Sequence, residues 1–343
     1  MNAALACGAV VVVAEPLTIP VLRRIAAIDV PGLRSSHTVP TPRGGGAPIA
    51  AGLLVAAAMM GGGEMIPFAF GVGYFALIGL IDDLRGLAAG RRLMLQGAGS
   101  VVVATLLALQ PVVDGLPTVV LTSGAILAAI WVIGFVNVFN FMDGVNGISA
   151  AHAVVAGVAY ACFGEWAHTR FLAGAGLAVA VAGLAFLPWN AGRARVFLGD
   201  VGSYALGASL AVLAATALSH GVPAEAAFGP LALYIADTAW TLQRRIRAGE
   251  PWLQAHRTHI YQRWCDVGWT HQEVAVVTAG STVLLSLLGA VSLARDPMLR
   301  IGADVAGLGV LVGYLRSPVF FGHPDLARPP AMHRRTSIRV GSR

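Results

Sequence analysis

Apolar runs, most close to the 20 residues a bilayer-crossing helix needs, alternate with polar connections along the whole chain. They predict helices at 3–22, 47–63, 66–81, 93–111, 118–136, 147–163, 171–188, 203–218, 226–243, 273–293 and 299–315. The expected fold is all-α: a polytopic membrane helical bundle of about eleven transmembrane helices. A single domain is expected over 1–315, with a basic, Pro-containing cytoplasmic tail at 316–343. No repeat, low-complexity tract or cleavable leader is evident, because the first apolar run has no basic flank before it.

Composition removes the soluble alternatives. The 343 residues are 57% hydrophobic and only 12% charged, too few charges to cover a globule of this size, and three cysteines cannot staple a small scaffold. The net charge of +6 does not point to nucleic acid, because the basic residues are grouped by side. All 23 are arginine, and with an outside amino terminus only Arg170, Arg295 and Arg300 fall outside. The carboxyl terminus is then inside. The inside stretches at 23–46, 82–92, 137–146, 189–202 and 244–272 are also the longer and more polar ones, so function is expected at the cytoplasmic face.

Acidic residues collect on that face. Asp82 and Asp83 end one run, Asp143 follows another, and Asp200 precedes the run beginning at Ser203. A carboxylate at the end of an apolar helix meets water, a basic partner or a cation. One carboxylate of the Asp82–Asp83 pair could face a metal or phosphate while the other faces Arg85 or a neighbouring helix. Asn137, Asn140 and Asp143 recur every third residue, and with Asn146 they form a polar stripe where Gly144 and Gly147 let the backbone approach a ligand. Asp200 either sits passively near a positive helix end, with Ser203 as cap, or holds a divalent ion beside amides free for phosphate. Basic and histidine-containing stretches complete the face: His37 to Gly46, with Arg43, and His256 to Arg263, with Arg257 and His259. Two histidines with no cysteine or third histidine in pattern do not make a zinc site. Carboxylates suited to Mg²⁺, with guanidinium, imidazole and amide donors beside them, are the parts of phosphoryl transfer. At a bilayer face the acceptor could be a lipid. Asp237 lies within an apolar run, either as a second functional acid or as a buried partner, for Arg244 for example.

Four motifs in order, Asp-Asp-x-x-Gly-Leu at 82–87, Asn-x-x-Asn-x-x-Asp-Gly-x-x-Gly at 137–147, Gly-Asp-x-Gly-Ser at 199–203 and His-x-x-His-x-Tyr-Gln-Arg at 256–263, resemble the polyprenyl-phosphate N-acetylhexosamine-1-phosphate transferase superfamily. The resemblance covers roughly residues 20–270. It implies an enzyme of the bacterial inner membrane that transfers a sugar 1-phosphate from a UDP-N-acetylhexosamine to undecaprenyl phosphate, releasing UMP. That is the first membrane step of a surface polysaccharide. It further implies Mg²⁺, with Mn²⁺ as a candidate substitute, membrane lipids as surroundings, and a homodimer as a candidate assembly.

By motif position, the resemblance makes Asp200 a metal ligand, with Asp143 beside it, and Asp82 and Asp83 the pair acting on the lipid phosphate or in the metal region. It places Asn137, Asn140 and Asn146 near the nucleotide, and His256, Arg257, His259 and Arg263 over the diphosphate and sugar. His37 and Arg43 match a basic, Gly-rich loop. The His-Arg-Thr-His run at 256–259 departs from the triple histidine of the MurNAc-pentapeptide enzymes. Tyr-Gln-Arg at 261–263 and Ala-Asp-Thr at 236–238 look more like the O-antigen-initiating branch, with GlcNAc, FucNAc or QuiNAc donors. The alternatives are that pentapeptide transferase itself and a lipid-phosphate transporter, which would place its coupling charges near the midplane. Only Glu15, Asp237 and Asp304 lie deeper among the acids. The CDP-alcohol phosphotransferases are excluded by Asn140 and by the lack of Ala-Arg after Gly147.

Overall fold

The computed structural model describes residues 1–31, 39–251 and 256–320. Among them the chain is a helical bundle with one small two-stranded sheet. Helix α1 (Asn2–Arg24) leads into β1 (Ile28–Asp29), which pairs antiparallel with β2 (Thr41–Pro42). There follow α2 (Ala47–Met60), α3 (Met65–Arg85), α4 (Ala89–Ala108), α5 (Thr118–Met142), α6 (Ile148–Trp166), α7 (Arg170–Asn190) and α8 (Gly199–Ser219). The chain continues through α9 (Ala224–Phe228), α10 (Ala232–Arg247), α11 (Ile260–Asp266), α12 (His271–Ala290) and α13 (Pro297–Phe320).

Every expected run coincides with helix, and the protein is a multi-pass membrane protein. Among the described residues eight helices are long and apolar enough to span a bilayer: α1, α3, α5, α6, α7, α8, α12 with the turn that extends it, and α13. The other three runs differ for identifiable reasons. Helix α2 has only 14 residues. Helix α4 opens on Arg91 and Arg92, which lower its apolarity. The run at 226–243 is broken by a 3₁₀ turn at Gly229–Leu231, where Pro230 cannot donate a backbone hydrogen bond. Helix α13 continues to Phe320, five residues into the expected tail, and residues 321–343 lie outside those described.

Helix α8 is the hub, buried almost throughout against α3, α5 and α6. Lipid tails supply no hydrophobic drive between helices, so close backbone packing by small residues holds such bundles together. At the crossing of α6 and α7, a methyl on Gly157 would lie 2.5 Å from the Ala180 nitrogen, and one on Gly164 2.2 Å from the Ala173 nitrogen. By contrast α5 and α13 leave most of their surface outward, including Ile126, Leu127, Ile130, Val305 and Leu308, as lipid-facing helices do.

Candidate active site

The polar centre forms at one end of the bundle, where α3 ends and α8 begins. Beyond β2, the N–H groups of Gly44 and Gly45 donate to the Phe197 carbonyl, and that of Gly46 donates to Leu198. This splices the Arg43 segment onto the start of α8. Gly199 enters the helix with φ +73, and a side chain there would strike Asp83 Oδ2 at 2.6 Å. Only glycine adopts that backbone without strain and leaves room for the carboxylate.

Asp83 caps α8 from another helix. Its Oδ1 accepts the Asp200 N–H at 2.9 Å and its Oδ2 accepts the Val201 N–H at 2.9 Å, so a negative charge faces the positive helix end. Arg43 bridges two of the acids: Nε lies 2.7 Å from Asp83 Oδ1, and Nη2 lies 2.7 Å from Asp200 Oδ2. Burial alone would lower the Arg43 pKa, but Asp200, Asp83 and Asp29 outweigh it and raise the value above the usual arginine range. Asp200, in the first turn of α8, meets Arg43 through Oδ2 and is 8% exposed.

Asp82 is held separately. Its Oδ1 accepts the Leu87 N–H at 2.7 Å, while Oδ2 accepts the Tyr204 hydroxyl at 3.1 Å and lies 3.4 Å from Arg92 Nη1. The adjacent carboxylates thus diverge, as expected, but Asp82 turns to Tyr204 and Arg92 rather than to Arg85. The expected stripe on α5 faces inward: Asn140 accepts the Ser203 hydroxyl at 2.8 Å, and Asn137 donates to Gln96 Oε1 at 2.9 Å. Ser203 is not the cap of α8, because the helix starts four residues earlier and Asp83 does the capping. Asp143 follows α5. Its carboxyl is pushed up to about 6, by burial first, against the opposing pull of Arg43.

The second half of the site is the turn before α11. His259 Nδ1 lies 2.9 Å from Asp237 Oδ1, and the same fully buried carboxylate accepts the N–H groups of Ile260 and Tyr261 and the hydroxyls of Thr241 and Tyr314. Asp237 therefore shapes the histidine turn, and its partner is His259 rather than Arg244. The rings of His256 and His259 stack at 4.9 Å and lie 6.4 and 6.2 Å from the Phe141 ring at the end of α5. The Tyr261 hydroxyl donates to the Phe141 carbonyl at 2.9 Å, and a methyl on Gly144 would meet that hydroxyl at 2.1 Å. Burial first, then the charges of His259, Arg245 and Arg244, push His256 down to about 3, which leaves it neutral at ordinary pH.

Three expected binding residues are engaged elsewhere. Asn146 donates to the Gly192 carbonyl at 2.7 Å, Arg257 pairs with Asp266 at 3.0 Å, and Arg263 is buried, donating to the Thr258 carbonyl at 3.1 Å. His37 lies outside the described residues. Arg92, Gln96, Ser203 and Tyr204 are further polar groups of the cluster. Ser203 closes the Gly-Asp-x-Gly-Ser motif and Tyr204 follows it, but only the fold shows what they touch.

Among the described residues no three Asp, Glu, His or Cys side chains converge to hold a metal. The donor chemistry still suits Mg²⁺, which takes one or two protein carboxylates and completes its shell with water and substrate phosphate. Arg43, already a cation between Asp83 and Asp200, marks where positive charge is favoured. Of the deeper acids, Asp304 is exposed on α13, and Glu15 is buried with no hydrogen-bond partner among the described residues.

Residues 65–218, from α3 to the end of α8, match the family model described as glycosyl transferase family 4. A decaprenyl-phosphate N-acetylglucosaminephosphotransferase of Mycobacterium leprae is 30% identical over 302 residues, 74% of each chain. The protein of the same name from Mycobacterium tuberculosis is 28% identical over 88% of this chain and 86% of its own. A probable undecaprenyl-phosphate N-acetylglucosaminyl 1-phosphate transferase of Bacillus subtilis is 29% identical over 75% of this chain and 76% of its own. The matched span contains Asp82, Asp83, Asn140, Asp143 and Asp200, so the structural node and the similarity coincide: the chain belongs to glycosyl transferase family 4, the polyprenyl-phosphate N-acetylhexosamine-1-phosphate transferases.

Proposed function

We propose that this protein transfers the sugar 1-phosphate of a UDP-N-acetylhexosamine to undecaprenyl phosphate, at the cytoplasmic face of the bacterial inner membrane. The amino terminus is outside and the carboxyl terminus inside, which requires the α2, α4 and α9–α10 runs to cross along with the eight longer apolar helices. The arginine distribution supports that orientation. The names of the relatives support a polyprenyl acceptor and a GlcNAc-type donor; FucNAc and QuiNAc are the other donors of this class. The product starts a surface polysaccharide.

In the reaction a phosphate oxygen of the lipid attacks the sugar-bearing phosphorus. The bond from that phosphorus to the bridging oxygen breaks, and UMP leaves with that oxygen. Arg43 and Arg92 would take phosphate oxygens. Asp200 and Asp143 would hold Mg²⁺, whose chemistry there is to neutralise charge on the diphosphate. Asp83 fixes the first turn of α8 and with it the Asp200 carboxylate. The His256–His259 stack beside Phe141 supplies a flat wall for the donor. One observation carries the reading above the others: Arg43, Asp83 and Asp200, from three distant parts of the chain, form one ion-paired node at a membrane-helix end.

The test is UMP release by the purified protein supplied with undecaprenyl phosphate and a panel of UDP-sugars. Turnover should require Mg²⁺ or Mn²⁺, stop with chelator, and fall on the order of a hundredfold or more in Asp200→Asn while the protein stays folded. Full activity in that variant would remove Asp200 from the chemistry. Cysteine labelling that finds the 82–92 or 244–272 stretch outside the cell would overturn the orientation.

A further inference from the structure

A second polar site lies behind the histidine turn. Trp240 and Arg244 of α10, Ile260 and Arg263 of α11, and Leu315, Arg316, Pro318 and Val319 of α13 line a cavity of about 180 Å³. Its charged lining consists of three arginines and no acid. Arg263 is only 4% exposed, yet among the described residues its side chain forms no ion pair, and its one side-chain hydrogen bond goes to the neutral Thr258 carbonyl. Burial first and then the positive charge of Arg244 push it down to about 10, and the pull of Asp237, Asp266 and Glu250, none of which pairs with it, does not make up the difference. A buried cation with a neutral partner is a costly arrangement, relieved when an anion arrives. The remaining lining is apolar, and Trp240, 36% exposed, is a residue type that settles at the headgroup level. A pocket with cationic walls and an apolar side, against the membrane helix α13 on the arginine-rich side, fits a phosphate with hydrocarbon attached.

We propose that the α10–α11–α13 cavity binds the phosphate of an anionic phospholipid, held by Arg244, Arg263 and Arg316, with its chain beside Leu315 and Val319. The site does not depend on the reaction proposed above. It does have a route to it: Arg244 and Arg263 donate to the same Thr258 carbonyl, at 3.0 and 3.1 Å, one residue before His259. The lipid would brace the histidine turn from behind.

The test is native mass spectrometry of the full-length protein released from detergent micelles, after titration with phosphatidylglycerol or chain-matched phosphatidylcholine. The wild type should retain phosphatidylglycerol in preference by about fivefold or more, the weight of roughly one arginine at a membrane surface. Arg316→Glu, on an exposed side chain, should abolish that preference and Arg316→Lys should keep it. Val319→Trp, which fills the cavity without altering charge, should lower retention as well. Equal retention of the two lipids by the wild type, or an undiminished preference in both Arg316→Glu and Val319→Trp, would overturn the site. Displacement of phosphatidylglycerol by equimolar undecaprenyl phosphate would also overturn it, because the pocket would then belong to the acceptor. Since the readout is retained lipid and not UMP, a failure here is distinct from a failure of the proposed reaction.

Discussion

A single methyl group placed on α3 should disable the site without touching any reacting atom. At Gly79 the helix passes so close to α8 that an added Cβ would lie 2.2 Å from the Asp200 carbonyl oxygen, 2.4 Å from its carbon and 2.5 Å from the Val201 nitrogen. All three are backbone atoms and cannot swing aside. Ordinary contact begins near 3.4 Å, so Gly79→Ala must push the two helices apart by about 1.2 Å at the first turn of α8. The Asp83 bonds to the Asp200 and Val201 N–H groups, 2.9 Å each, then stretch to about 4 Å and are lost. Hydrogen bonds to a charged group contribute about 1.5–3 kcal/mol each, so the loss should be on the order of 3 kcal/mol. Displacement of a reactive group by about 1 Å can cost on the order of a hundredfold in rate. UMP release and thermal unfolding in micelles read the two effects. Gly73→Ala on the same helix is the control, because its nearest neighbours are Leu54 side-chain atoms at 3.7 and 3.9 Å. Wild-type turnover and stability in Gly79→Ala, or equal damage in Gly73→Ala, would refute the reasoning.

Other outcomes follow from the same contacts. Turnover should fall as pH drops through about 7, the value to which burial first pushes Asp200, and more steeply below about 6, where the second proposed ion-holding carboxyl, Asp143, also takes up a proton; above about 7 it should level off. The raised value of Asp143 favours the neutral folded form, so the stability it contributes is fullest below about pH 4 and declines as pH rises through about 6; the activity loss in acid should therefore reverse on neutralisation, without unfolding. Asp237→Asn removes the charge from a buried acceptor of the His259 ring and four further donors, and should lower stability by on the order of 3 kcal/mol in thermal unfolding. Tyr204→Phe deletes one hydroxyl bond to Asp82 and should cost about 1 kcal/mol in the same measurement, with less than a tenfold loss of turnover.

The helices could be read from the chain because an apolar run in lipid has almost no alternative to closing its own hydrogen bonds. The departures were local: Arg91 and Arg92 at the start of α4, and Pro230 in the middle of an expected span. The site was legible as residue types and much less as partners. The sequence shows Asp82 and Asp83 as neighbours, but not that Asp83 closes the end of a helix 117 residues away, while Asp82 faces Tyr204 and Arg92. Arg263 looks like a donor over the substrate when read beside His256 and His259. Its side chain instead lines the α10–α11–α13 cavity, against α13. Spacing along a chain fixes which face of a helix a residue occupies, but not what the next helix presents to it.

The splice of Asp83 onto the first turn of α8 also sets an order of events during synthesis. Asp83 leaves the ribosome long before Asp200, and until α8 has entered the bilayer the nascent chain has no closed node at all. A polypeptide cut short before α8 therefore lacks the node on which the proposed reaction depends.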